Sequence, residues 1–199
     1  MDSHLTRLRA GIEGSIEAKR RMLADEILLR RVVEVGALMS EAVRRGSRVI
    51  FAGNGGSAAD AQHLAAELVS RFEFDRPGLP SLSLSTDTSM ITAIANDYGY
   101  DNLFRRQLEA QSRPGDVFVG ITTSGCSRNI LAAFEACRPL QVTSVALCGL
   151  GGELESLVDH VLRAPSRLTP RIQECHILLG HMICSHVELE MFSHLKPAA

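Results

Sequence analysis

Between residues 48 and 163, short apolar runs alternate with helical segments, and that alternation leaves few folds open. RVIFAG (48–53), SLSLS (81–85), DVFVGIT (116–122), VTSVALCG (142–149) and VDHVLR (158–163) have the length and texture of strands. Strands apolar on both faces must be covered on both faces, the situation of a parallel sheet between two helical layers. AADAQHLAAELVSRF, TSMITAIANDYG, NLFRRQLEAQS and SRNILAAFEAC supply the helices, and PRIQECHILLGHMICSHVELEMFSHL reads as a long closing helix with Pro170 near its start. The expected class is α/β, with a parallel sheet flanked by helices.

Residues 1–45 stand ahead of this pattern as a helical arm, and residues 46–199 form the α/β domain. In the arm, Leu5, Leu8, Ile12, Ile16, Leu23, Ile27, Val32, Val35 and Leu38 recur at helical steps until Gly46 ends them. Gly11 and Gly14 weaken the first part, which leaves one long helix or two shorter ones open. An amphipathic arm must bury its apolar stripe, either on its own domain or on another subunit.

Composition excludes whole classes of function. With 21 Lys+Arg against 23 Asp+Glu, no excess charge draws the chain to nucleic acid or to a membrane surface. No apolar run reaches the roughly 18 residues of a membrane helix, and the first twenty residues lack a signal peptide's apolar block. The five cysteines, Cys126, Cys137, Cys148, Cys175 and Cys184, are odd in number and contain no C-x-x-C pair. The expectation is a reducing, cytoplasmic setting.

Two turns carry chemistry. Gly53-Asn54-Gly55-Gly56-Ser57 follows the first strand, where glycines let the backbone approach a ligand and a helix start offers free N–H groups. It matches neither the dinucleotide nor the Walker pattern. Thr122-Thr123-Ser124-Gly125-Cys126-Ser127 follows the DVFVGI strand and has four hydroxyls at a helix start, a set suited to a phosphate monoester. Helix capping explains Ser127 alone. Neither turn holds a lysine, which favours a sugar phosphate over a nucleoside triphosphate. Of the cysteines Cys126 is the one a helix N-terminus would activate, and the favoured reading for it is a small packing residue.

His63 and Glu67 stand four apart on the helix that the glycine turn opens, so their side chains leave one face about 6 Å apart. That geometry suits two ligands of one metal or an acid–base pair; in isolation it marks an exposed helix pair. Gln173 and His181 lie eight apart on the closing helix, roughly 12 Å along its axis. To share one metal they must converge through a distorted helix start near Pro170 or come from different subunits. His176, His186 and His194 are read as structural or solvent-facing.

GNGGSAADAQH, ANDYG, ITTSGCS and RIQECH, in this order, resemble the phosphoheptose isomerase branch of the sugar isomerase (SIS) domain family, over about Ala52 to His181. The resemblance implies a flavodoxin-like five-stranded parallel sheet with a helical N-terminal arm, a homotetramer with sites at subunit interfaces, and one divalent metal per site, zinc in most members. It implies conversion of D-sedoheptulose 7-phosphate into D-glycero-D-manno-heptose 7-phosphate through an enediol, for heptose biosynthesis. Thr122, Thr123, Ser124 and Ser127 would hold the phosphate, Asn54, Gly55 and Gly56 the sugar or its phosphate, and Asn96 and Asp97 the sugar hydroxyls. His63, Glu67, Gln173 and His181 match the metal and catalytic positions, with Glu67 as base and His181 assisting at oxygen. Glu67 and Gln173 also face the substrate, and Ser57 and Arg71 lie near by spacing. Thr122 and Cys126 depart from the Ser and Asn common in the family, and Thr122 keeps the hydroxyl. The alternative is a non-catalytic SIS module of the DiaA type, which binds a replication-initiator protein and has no use for Glu67, Gln173 and His181 together.

Overall fold

The computed structural model describes residues 2–197. Its elements run α1 (Asp2–Ala24), α2 (Glu26–Arg44), β1 (Val49–Gly53), α3 (Gly56–Val69), β2 (Ser81–Ser83), α4 (Thr88–Tyr98), α5 (Leu103–Gln111), β3 (Val117–Thr122), α6 (Arg128–Cys137), β4 (Thr143–Cys148), β5 (His160–Arg163) and α7 (Thr169–Phe192). All strand pairs are parallel, in the order β2-β1-β3-β4-β5. The sheet class and strand count agree with the sequence reading.

Alternate residues of each strand serve the two layers. Val49, Phe51, Val117, Val119, Ile121, Val145 and Leu147 face a core shared with α2, α3 and α7. Ile50, Ala52, Phe118, Ala146 and Cys148 face a second core, with Leu103, Phe104 and Leu108 of α5 and Ile130 and Phe134 of α6. Every residue of β1 and β3 is buried, so these strands read as unbroken apolar runs rather than alternating ones.

The arm is two helices. The break falls at Asp25, whose carboxylate accepts from the Leu28 N–H and caps α2; Gly11 and Gly14 lie within an uninterrupted α1. Helix α2 belongs to the core of the sheet domain, with Val35 and Met39 fully buried. It crosses α7 at Gly36, where a Cβ would overlap the His186 ring. Helix α1 buries Ala18 and Met22 but leaves Leu8 (61%), Ile12 (62%) and Leu23 (73%) open. Both readings of the apolar stripe therefore have something to describe.

His176 of α7 is fully buried, and neither ring nitrogen has a hydrogen-bond partner, although the Cys148 backbone lies near. Burial pushes its imidazole down to about 4. Above the ordinary histidine value of about 6.5 both folded and unfolded chains carry it neutral, and nothing is lost. Below that, the unfolded chain takes the proton first, and stability falls progressively until the pH reaches the native value. Between pH 7 and pH 5 the wild type should therefore lose about 2 kcal/mol more stability than His176→Leu, from the linkage of about 1.4 kcal/mol per pH unit. Urea unfolding of both proteins at the two pH values measures it, and equal losses would sink the assignment.

Candidate active site

In the order 2-1-3-4-5 the connections leave β1 and β3 in opposite directions, and ligands of open α/β sheets sit at that switch point, beyond the carboxyl ends of the strands. Both turns singled out from sequence fall there. The glycine turn leaves β1 and enters α3, with Gly55 at φ +55°, a conformation that favours glycine. Gly53 is equally constrained, because a Cβ would overlap the Ser57 backbone. Ser57 itself turns inward and is buried.

The hydroxyl turn leaves β3 and enters α6. Thr122, 2% exposed, lies 3.0 Å from the Ser127 hydroxyl and accepts from the Gly125 N–H (3.2 Å). Ser124, with its hydroxyl 3.5 Å from that of Thr122, accepts from the Cys126 N–H (3.1 Å). Gly125, at φ +71°, packs against the Gly151 and Gly152 backbone, where a Cβ would not fit. Three of the four hydroxyls thus converge, while Thr123 stands at the turn's half-buried side. Ser127 makes no side-chain cap bond, so its hydroxyl is not spent on the helix.

Asn54 ties the turns together. It exchanges two hydrogen bonds with Asn129 of α6 (2.9 and 2.8 Å) and accepts a third from the Tyr100 hydroxyl (2.9 Å). Asn129 and Tyr100 were not anticipated. Asn129 was visible only as a polar residue in the first turn of an apolar helix, and Tyr100 as the residue after ANDYG. Asn96 donates to Asp97 (2.8 Å), and both are exposed at the end of α4, joined to neither turn by a hydrogen bond. Arg71 is exposed just beyond α3.

Helices α3 and α7 lie side by side and run parallel. Gly56 meets Gln173, Leu64 packs on Gly180 so closely that a Cβ would overlap it, and His63 meets His181. The sequence separation stays near constant along the contact, 118 at His63–His181 and 116 at Phe72–Glu188. This register assembles a cluster from two distant segments. The Nε2 atoms of His63 and His181 are 2.9 Å apart, and His63 Nε2 is 3.3 Å from Glu67 Oε1. One ligand atom from each of the three lies within 4.8 Å of the others. Burial, then His63, hold the His181 imidazole below its ordinary value, opposed by Glu67; it is neutral at neutral pH. The Phe72 ring, also unanticipated, lies 5.2 Å from the His181 ring.

Gln173 precedes His181 by two turns on α7. Helix α7 is continuous from Thr169 to Phe192, so of the two routes to a shared site the distorted helix start near Pro170 is absent. Pro170 stands at the helix start, where its missing N–H breaks no intrahelical bond, and the two residues keep their two-turn spacing. Gln173 touches the glycine turn at Gly56. Near the trio, Asp60 keeps a buried oxygen without a partner, and burial raises its carboxyl against the pull of His63.

The buried cysteines behave as packing groups, whereas Cys126 lies open in the hydroxyl turn. Cys126 is exposed and the other four cysteines are buried; burial raises Cys137 and Cys184 to about 12 and Cys148 to about 11, far from thiolate chemistry.

Comparison with known proteins places this geometry in context. The family model described as "SIS domain" matches residues 16–149. A phosphoheptose isomerase of Aneurinibacillus thermoaerophilus is 53% identical over 186 residues, covering 93% of this chain and 94% of its own. Phosphoheptose isomerase 2 of Campylobacter jejuni is 53% identical over 179 residues, 89% of each chain. Among solved structures, the phosphoheptose isomerase of Francisella tularensis superposes with a TM-score of 0.88 at 36% identity, over 92% of this chain and 97% of that one. That of Neisseria gonorrhoeae superposes with 0.86 at 40% identity, over 92% and 98%.

Proposed function

The chain belongs to the SIS-domain family, among the phosphoheptose isomerases, and we propose that it converts D-sedoheptulose 7-phosphate into D-glycero-D-manno-heptose 7-phosphate. The observation that carries this reading is the imidazole–carboxylate trio of His63 and Glu67, on the helix that opens at the glycine turn, with His181 of α7. A module that only binds a protein partner has no need of such a cluster, and relatives identical at about half their positions are named as isomerases.

Ketose-to-aldose isomerisation needs a base at carbon and an acid at the carbonyl oxygen. Glu67 takes the proton from C1 of the open-chain ketose as the C2 oxygen gains one, giving the 1,2-enediol. The same carboxyl then returns its proton to C2 while O1 loses its own, and C1 becomes the aldehyde. His181 serves the oxygens and assists ring opening, with its neutral imidazole available at physiological pH. Thr122, Ser124 and Ser127 hold the phosphate with the α6 N-terminus, and Thr123 adds a fourth hydroxyl. Asn54, Gly55 and Gly56 line the sugar with Gln173 beside them; Asn96 and Asp97 reach its hydroxyls from the end of α4.

The trio also fits a divalent ion. Zinc takes imidazole nitrogen and carboxylate oxygen at about 2.0–2.2 Å, which sets neighbouring ligand atoms about 3–4 Å apart, and the observed 2.9 and 3.3 Å fall close to that spacing. His63, Glu67 and His181 would hold it, with Gln173 of α7 as the fourth candidate, and when bound it would polarise the carbonyl and stabilise the enediolate. The open apolar stripe of α1 supports assembly into a homotetramer, and the five free cysteines suit a cytoplasmic enzyme of heptose biosynthesis.

A coupled assay with sedoheptulose 7-phosphate tests the reading. Aldose phosphate should form at an enzymatic rate, and chelation followed by removal of the chelator should lower that rate at least tenfold, with recovery on adding zinc. No product from this ketose, with product from a shorter ketose phosphate, would overturn the substrate. An unchanged rate after chelation would remove the metal.

A further inference from the structure

Seven residues beyond His181 on the same helix, Glu188 is fully buried against the equally buried side chain of Arg76, at 3.0 Å from Nε to Oε1. Every polar atom of the pair is engaged. The carboxylate accepts from the backbone N–H groups of Phe72 (2.9 Å) and Glu73 (2.7 Å). The guanidinium donates to the carbonyls of Glu67 (2.7 Å), Leu68 (2.6 Å), Ser70 (3.1 Å) and Pro77 (3.1 Å). Those of Glu67, Leu68 and Ser70 lie at the end of α3, where a helix leaves carbonyls unsatisfied and where a cation meets the negative end of its dipole.

We propose that the Arg76–Glu188 pair is a positioning device for the isomerase site, locking the last turn of α3 to α7 so that Glu67 and His181 keep a fixed relation. Two connections lead from the pair to the reacting groups. Arg76 holds the main chain of Glu67 itself. Glu188 holds the main chain of Phe72, whose ring lies against His181. Stability alone does not call for such a pair, because well-packed apolar side chains of similar volume serve a core as well or better. The pair is suited instead to directional contacts, and it spends them on the backbone next to the site. The inference rests on the reading of Glu67 and His181 as the groups that handle protons.

Arg76→Lys keeps the charge but cannot reach all the carbonyls, and Glu188→Gln keeps the shape but loses the charge. Each should lower kcat for sedoheptulose 7-phosphate at least tenfold, since misplacement of a reacting group by about 1 Å costs on the order of a hundredfold. KM should stay within about threefold, because the hydroxyl turn on β3 and α6 is untouched. Activity is read on protein that circular dichroism shows to be folded at the assay temperature, beside its melting temperature. A lowered melting temperature with kcat within twofold of wild type would overturn the proposal, as would a rise in KM alone. Should neither variant fold, amide exchange in the wild type decides: Phe72 and Glu73 protected as strongly as α3 supports the lock, and exchange at open-loop rates refutes it. Full turnover by Glu67→Gln would sink the underlying reading; full turnover by the lock variants beside an inactive Glu67→Gln sinks only this inference.

Discussion

Glu67→Gln is expected to lower kcat by about a thousandfold, since a positioned general base contributes on the order of 10²–10⁴. That factor corresponds to about 4 kcal/mol of transition-state stabilisation. The amide has the size and shape of the carboxyl but cannot accept a proton from carbon. It also weakens the proposed metal site, so the assay is run with zinc in excess and the metal content of the variant is measured. The fold has little to lose: Glu67 is partly exposed, its side-chain partner is His63 at 3.3 Å, and the bond from Arg76 reaches its main chain, which the change leaves intact. KM should move far less than kcat, because the proposed phosphate site lies apart from Glu67, at the start of α6. Steady-state kinetics with the melting temperature as control measure this, and turnover within tenfold of wild type would remove Glu67 from the mechanism.

The second large effect should appear in the other kinetic constant. Thr122→Val together with Ser127→Ala removes two hydroxyls 3.0 Å apart at the start of α6. Hydrogen bonds to a charged group contribute about 1.5–3 kcal/mol each, so the loss of two should raise KM on the order of a hundredfold or more. Thr122 also accepts the buried Gly125 N–H, and valine leaves that donor unpaired, so stability should fall by about 1–3 kcal/mol. Inorganic phosphate should protect the wild type from urea unfolding and protect the variant much less. An unchanged KM would move the phosphate elsewhere.

These two experiments divide the site as the chain divides it. The hydroxyl turn is local: Thr122, Ser124 and Ser127 come together within six residues, because one glycine at positive φ bends the backbone between a strand and a helix. The His63–Glu67 pair is local too, since helical periodicity alone puts the two on one face. The five strands, their parallel arrangement and both turns were legible for the same reason. Such signals depend on backbone preferences and on which residues must leave water within a few positions of one another.

What the linear order left open is what distant segments do when they pack. Periodicity allowed one helix or two in the arm, and the Asp25 cap decided for two while the sheet drew α2 into its core. Eight residues between Gln173 and His181 admitted a distorted helix start or a second subunit, and α7 runs unbroken through both. The cluster exists because Leu64 fits onto Gly180, fixing the register of two parallel helices so that residue 181 meets residue 63. Asn129, Tyr100, Phe72, Arg76 and Glu188 entered by the same route, each through a contact with a segment far away in sequence or around a turn. Local rules set the elements and the chemistry each carries. The register between elements is a property of close packing, and only the folded chain decides it.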